Sequence, residues 1–343
     1  MNRSRLLGVT VAALVTTSAS AGLTANAMAA GSLTGAGSTL VAPLMTSWTQ
    51  DFANKHDINV TYGAVGSGAG IAQVTARTVD FGASDAPLNP SQAAACNGCV
   101  QIPWALTATG IAYRLNGVRN LRLTGKIISR IYQGAITKWN DKSIKKINPK
   151  LKLPNLTITP VYRSDGSGDT YAFTDFLSRV DAGWKSRIGN ATAVSFPKGV
   201  GGKGNDGVTA VVSSTNGSIG YISASYIIAH HLNTALLQNR AGKFEYPNLA
   251  NIKAAAAAVK SVPANNELHI VDPPAKYKTA YPLSTFTYAI VPKVSKQAGA
   301  VRLFVLYAMS GAGQSFGPAL DFSPIPGVVY KAAVAATSQL QQG

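Results

Sequence analysis

Ile58-Asn59-Val60-Thr61-Tyr62 alternates apolar and polar side chains, and Gly66-Ser67-Gly68-Ala69-Gly70 follows it. Ile71 to Arg77 has helical spacing, and Val79-Asp80-Phe81-Gly82-Ala83-Ser84-Asp85 is a short apolar run ending in polar residues. Strand, glycine loop, helix and strand in this order make a βαβ unit, which belongs to a mostly parallel sheet with helices on its faces. In such sheets ligands sit at the carboxyl ends of the strands, where these loops emerge. Upstream, Pro43 to Asn54 reads as an amphipathic helix. Downstream the pattern returns: Ile158 to Tyr162 as a strand, an Asp-Gly-Ser-Gly loop, and Tyr171 to Val180 as a helix. Gly201 to Gly207 (GGKGNDG) precedes another helix, and Gly217 to Ile222 reads as a turn and strand. Ala254 to Val259 and Gly299 to Met309 are helical, and Tyr288 to Val291 is a strand.

Three glycine-rich segments stand just before helix-like stretches: Thr34 to Thr39 (TGAGST), Gly66 to Gly70 (GSGAG) and Arg163 to Thr170 (RSDGSGDT). A helix start offers unpaired N–H groups and the positive end of the helix dipole, and glycine lets an anion approach the backbone. Taken singly, each loop is an ordinary turn before a helix. Ile71 stands where a dinucleotide loop requires its third glycine, and Gly204 stands where a P-loop requires Ser or Thr, so neither nucleotide motif is complete. Together the loops share hydroxyls from Ser38, Thr39, Ser67 and Ser167, and one guanidinium, Arg163, which presents paired donors to a tetrahedral oxyanion.

Asp85 is out of place in an anion site unless the anion carries a proton. An ionised carboxylate accepts hydrogen bonds and cannot donate, so it suits phosphate near neutral pH and leaves sulfate facing a buried acceptor. Such mismatches can discriminate by ~10⁴-fold. The plainer reading is an Asx turn leading to Pro87.

The chain has 343 residues, 46% of them hydrophobic, enough for a large core and two lobes. Arg3 and Arg5, an apolar run from about Leu6 to Val15, and Ala27-Met28-Ala29 read as a secretory signal over residues 1–30, cleaved near Ala30 or Gly31. The rival is an uncleaved anchor, but the run is shorter than the ~20 residues a membrane span needs. Export places the protein in the periplasm or the extracellular and cell-wall space, and no cysteine follows the signal to take a lipid. Both cysteines lie in Cys96-Asn97-Gly98-Cys99, read as a small structural disulfide in an oxidising compartment rather than a redox centre or half a zinc site.

The formal charge is +17, and +15 without the two signal arginines, which should attract anions. The densest basic stretch, Lys142 to Lys152, carries no interleaved aromatics and reads as a solvated face rather than a nucleic-acid site. There is no G-x-S-x-G elbow, and none of His56, His230, His231 and His269 lies in a motif with a glycine loop. Catalytic residues, metals and cofactors are therefore not expected.

Leu33 to Thr39 (LTGAGST), Val79 to Pro87 (VDFGASDAP), Arg163 to Gly168 (RSDGSG), Gly201 to Gly207 and Tyr281-Pro282 closely resemble the PstS-type phosphate-binding proteins that feed ABC phosphate importers. The resemblance runs in order from Leu33 to about Pro326. It implies an α/β, two-lobed periplasmic-binding-protein fold of type II-like topology, with phosphate in the cleft. Lobe I would comprise residues 31–105 and 284–343, lobe II residues 106–283, with crossovers near Ala105 and Leu283. The implied phosphate contacts are Thr39, Leu40, Ser67, Asp85, Arg163, Ser167, Gly168 and the following position, here Asp169; Ser38, with its loop hydroxyl, and Thr170 complete the expected set. Implied partners are inorganic phosphate and the permease subunits, with the protein a monomer that binds no nucleic acid.

Two positions depart from the family. Many members have Thr directly after the Ser-Gly pair, whereas this chain has Asp169 followed by Thr170. Either Asp169 caps its helix and faces away, or, as we favour, it accepts a second phosphate proton. Leu40 stands where an aromatic is common, and only its N–H is needed. The implied function is a non-enzymatic receptor. The alternatives are a secreted phosphatase on the same fold and a wall-associated protein that uses its charge on anionic polymers.

Overall fold

A computed structural model describes residues 31–343, so the expected secretory leader lies outside the described residues. The strands of the main sheet are β1 (Gly31–Gly37), β2 (Ile58–Ala64), β3 (Phe81–Ser84), β4 (Cys99–Tyr113), β5 (Thr159–Arg163), β6 (Val200–Gly202), β7 (Ser218–Ser223) and β8 (Ser284–Pro292). They lie in the order β2-β1-β3-β8-β4-β7-β5-β6, and a ninth short strand, Asn233–Thr234, also pairs with β4.

Each flank of this sheet is parallel: β1 with β2 and β3, β5 with β6 and β7. Its middle is antiparallel, because β8 runs against β3 and β4, and β4 runs against β7. The expectation of a mostly parallel sheet is corrected here to a mixed one. The cause is the 15-residue β4, which pairs with β8 over Cys99–Ala108 and then with β7 over Thr109–Tyr113, so one strand belongs to both halves. The result is a two-lobed α/β molecule whose halves share their central strands.

Local sequence explains most helix boundaries. The helix α1 (Ala42–His56) opens with Pro43 in its first turn and ends at Asp57, which takes a left-handed conformation. The helix α2 (Ser67–Thr75) begins four residues earlier than its apolar spacing suggests, inside the glycine run. Its glycines are there for contact rather than for looping. A Cβ on Gly70 would lie 2.4 Å from Gly37 Cα, so this turn presses directly on β1.

Each lobe has its own core. In the first, Trp48, Phe81, Trp104 and Phe304 meet edge to face or tilted, with ring centroids 5.3–6.2 Å apart, and Trp48 Nε1 donates to the Gly313 carbonyl at 2.8 Å. Phe304 comes from the helix Ala298–Met309. In the second, Phe173 stacks on Tyr221 at 4.3 Å and Tyr132 closes on both, its hydroxyl donating to the Val161 carbonyl. Cys96 and Cys99 are disulfide-bonded, and the Arg77 guanidinium lies against both sulfurs. Truncating the fully buried Trp104 to Ala should cost about 3–5 kcal/mol, read as a lower midpoint in denaturant with an unchanged slope.

Candidate ligand site in the cleft

Five loops at the ends of the flanking strands converge where the lobes meet. From the first lobe come the β1 loop with Ser38 and Thr39, the start of α2 with Ser67, and Asp85 directly after β3. From the second come Arg163 at the end of β5, the first turn of α3 (Gly168–Val180), and the start of α4 (Gly204–Ser214). Chain reversal at strand ends is why these side chains end a strand, follow one or open a helix.

The lobes touch atom to atom. Gly68 N donates to Gly166 O at 2.9 Å, Gly168 N to Ser67 Oγ at 3.1 Å, and Asn205 Nδ2 to Thr39 Oγ1 at 2.9 Å. A Cβ on Gly168 would lie 2.4 Å from Asp85 Cβ and 2.7 Å from its Oδ2. Glycine is needed there because any side chain would hold the lobes apart.

Asp85 is buried. Its Oδ2 accepts from Ser38 Oγ at 2.6 Å and more distantly from Ser67 Oγ at 3.4 Å, whereas Oδ1 is buried with no protein donor. Burial first, and the nearby charge of Asp169 second, push its carboxyl up to about 7. Arg163 is buried too and divides its donors. Nε and Nη2 take the two oxygens of Asp165 at 2.8 and 2.5 Å, and Nη1 takes Asp169 Oδ2 at 2.9 Å.

Asp169 is turned inward, not away from the cleft. Thr109 Oγ1 donates to its Oδ1 at 2.7 Å, and Arg163 and Asn205 donate to its Oδ2. Desolvation raises its pKa, and the Arg163 charge opposes that rise. The cap of α3 is instead Ser167, whose Oγ accepts from Thr170 N. The Thr170 hydroxyl pairs with Tyr221 OH at 2.8 Å, and Leu40 N donates to Ser38 Oγ at 3.0 Å.

All ten residues anticipated from sequence thus lie in or beside one buried cluster, although Ser167 and Thr170 spend their hydroxyls on α3 and on Tyr221. Four participants were not anticipated: Asn205, Thr109, Tyr221 and the chelating role of Asp165. Asp165 was visible as the third residue of RSDGSG. Thr109 and Tyr221 lie within strands and carry no local signal.

The sequence matches the model of the PBP superfamily domain over residues 23–312. The phosphate-binding protein PstS of Xylella fastidiosa strain Temecula1 is 36% identical over 299 residues, covering 86% of this chain and 81% of its own. The phosphate-binding protein PstS of Haemophilus influenzae is 34% identical over 309 residues, covering 87% and 90%. The chain belongs to the PstS family of phosphate-binding proteins within this superfamily. These relatives carry the names of binding proteins rather than of enzymes. The fold is also that of the phosphate-binding protein of Stenotrophomonas maltophilia, with a TM-score of 0.70 at 20% identity, covering 89% of this chain and 94% of that one. No helix among the described residues is long and apolar enough to cross a membrane.

Because the Asp85 pKa lies above its ordinary value, the folded state holds a proton that the unfolded chain releases. Stability should therefore fall as pH rises from about 4 to about 7. In Asp85→Asn that part of the slope should vanish, measured as denaturant midpoints at pH 4.5 and 7 without ligand. An unchanged slope would mean that Asp85 ionises normally.

Proposed function

We propose that this protein captures inorganic phosphate outside the cytoplasmic membrane and delivers it to the permease subunits of an ABC-type importer. One observation carries the reading: Asp85 Oδ1 is a buried acceptor with no protein donor, at the meeting point of loops rich in N–H and hydroxyl groups. A buried acceptor needs a proton from its ligand, and a protonated phosphate supplies one where sulfate cannot. The relatives' names support the same ligand.

In this reading the Thr39 and Leu40 N–H groups, the Ser38 and Ser67 hydroxyls, the start of α3 at Ser167 and Gly168, and Arg163 surround the anion, which takes over donors turned on one another without it: Leu40 N–H on Ser38, Gly168 N–H on Ser67 and the Ser38 hydroxyl on Asp85. Asp85 takes its proton. Asp169 and Thr170 stand behind Arg163, with Asp169 offering a second acceptor through the remaining lone pair of Oδ1. Binding needs no cofactor and no catalytic group, and a monomer with a hinge between the lobes suffices. The protein works as an exported receptor, in the periplasm or the extracellular space. The family names favour this over a secreted phosphatase or a wall adhesin as the primary role.

Calorimetric titration of phosphate-stripped protein tests the assignment. Phosphate should bind one to one with negligible response to sulfate, and Asp85→Asn should lose discrimination by gaining sulfate binding. Absence of phosphate binding by the unmodified protein would remove the proposal. If Asp169 is a second acceptor, affinity for total phosphate should rise as pH falls from 8 to about 7, above the range in which Asp85 takes its own proton. A flat affinity over that range would leave Asp169 only as the partner of Arg163.

A further inference from the structure

The net positive charge lies almost entirely in one stretch of the chain. Residues 106–283 carry 23 Lys and Arg against 9 Asp and Glu, a net +14, whereas residues 31–105 and 284–343 carry 6 against 5, a net +1. Within the basic half the charge is concentrated again. Residues 119–152 hold ten Lys and Arg and one acid, Asp141, and all ten basic side chains are exposed. Among the described residues none of the ten is in an ion pair. Asp141 is occupied as the cap of the short helix Lys142–Ile147, accepting from Ser143 N.

Packing aims these charges outward. In the helix Gly125–Tyr132 the residues Ile127, Ile128 and Ile131 are buried, which leaves Lys126 and Arg130 on the opposite face one turn apart. In Lys142–Ile147 the buried residue is Ile144, and Lys142, Lys145 and Lys146 face solvent. Asn148 ties this helix to the neighbouring strand by accepting from Arg122 N and donating to Arg122 O. Arg122 and Lys150 consequently line one surface groove of about 480 Å³ floored by Ile147, Leu151 and Leu236.

We propose that this face docks a linear polyanion bearing repeated phosphate groups, independently of the cleft. Seven of the ten cations are lysines, which act as point charges tolerant of spacing and suit a flexible chain of phosphates rather than one bidentate ligand. None of the exposed large apolar side chains falls within residues 119–152 themselves, so the lysine-bearing helices present no apolar wedge to a bilayer; Ile228 and Tyr246 share a pocket with Arg119 at the edge of this set. Cells import phosphate that is scarce, and a receptor held on a phosphate polymer stays concentrated at its surface without occupying its ligand site.

The probe is fluorescently labelled long-chain inorganic polyphosphate, followed by anisotropy with the full mature chain. Binding at 50 mM salt should weaken about 100-fold or more by 200 mM, as expected when several condensed counterions are released. Replacing Lys142, Lys145 and Lys146 together by Gln should lower affinity at least tenfold and reduce the log–log salt slope by about 2. The same variant should titrate free phosphate in the cleft as the parent does, which shows it is folded. A control with Lys293, Lys296 and Arg302 replaced by Gln should keep polyphosphate affinity. The proposal is overturned if polyphosphate fails to bind at 50 mM salt, if the first triple variant binds it as tightly as the parent, or if the control loses as much. Capture by anionic phosphatidylglycerol vesicles without capture of polyphosphate would overturn it in favour of a membrane partner. Failure of free phosphate to bind the cleft, with polyphosphate binding intact, would remove the receptor function and leave this surface standing.

Discussion

Arg163 is a cation taken out of water, and its three hydrogen bonds to Asp165 and Asp169 make that placement tolerable. The cleft is organised around this arrangement. Asp165 also accepts from Gly204 N, so the guanidinium is tied to the start of α4. Asp169 also accepts from Asn205, whose Nδ2 donates as well to Thr39 of the opposite lobe, so one chain of polar groups runs from the β1 loop across the cleft to the cation. Removing either carboxylate would leave a buried charge partly unpaired, which is usually far more damaging than losing a surface pair.

Electrostatically the site combines one buried cation with three buried or half-buried carboxylates, which is the reverse of a simple anion trap. Attraction therefore does not come from local charge. In the proposed reading it comes from directed N–H and hydroxyl donors and from buried acceptors, Asp85 first and Asp169 second, whose requirement is a proton. Selectivity in such a site rests on counting hydrogens, since two anions of equal size and shape differ only in whether they bring one.

Much of this was legible along the chain because the decisive residues follow strands or open helices. Asp85 and Arg163 each lie at the end of a short apolar run, and Ser67 and Gly168 lie in glycine-rich text that has few other uses. What was hidden has a physical reason. The start of α2 at Ser67 was obscured because glycines lower helix propensity, and only contact with Gly37 and Gly166 across the packing explains their presence. The antiparallel centre of the sheet was hidden because β4 and β8 are buried throughout and show no alternation. Asn205 looked like one more turn residue in GGKGNDG, and its bridge between lobes exists only in three dimensions.

The contacts of Gly68 with Gly166 and of Ser67 with Gly168 also bear on time rather than on affinity. If the anion sits beneath these contacts as proposed, backbone pressed to backbone would leave it no side exit, and each departure would wait for the lobes to part. Exchange is then gated by a motion of the protein that is common to every ligand held inside. Ligands differing greatly in how tightly they are held would share one upper limit on how fast they leave.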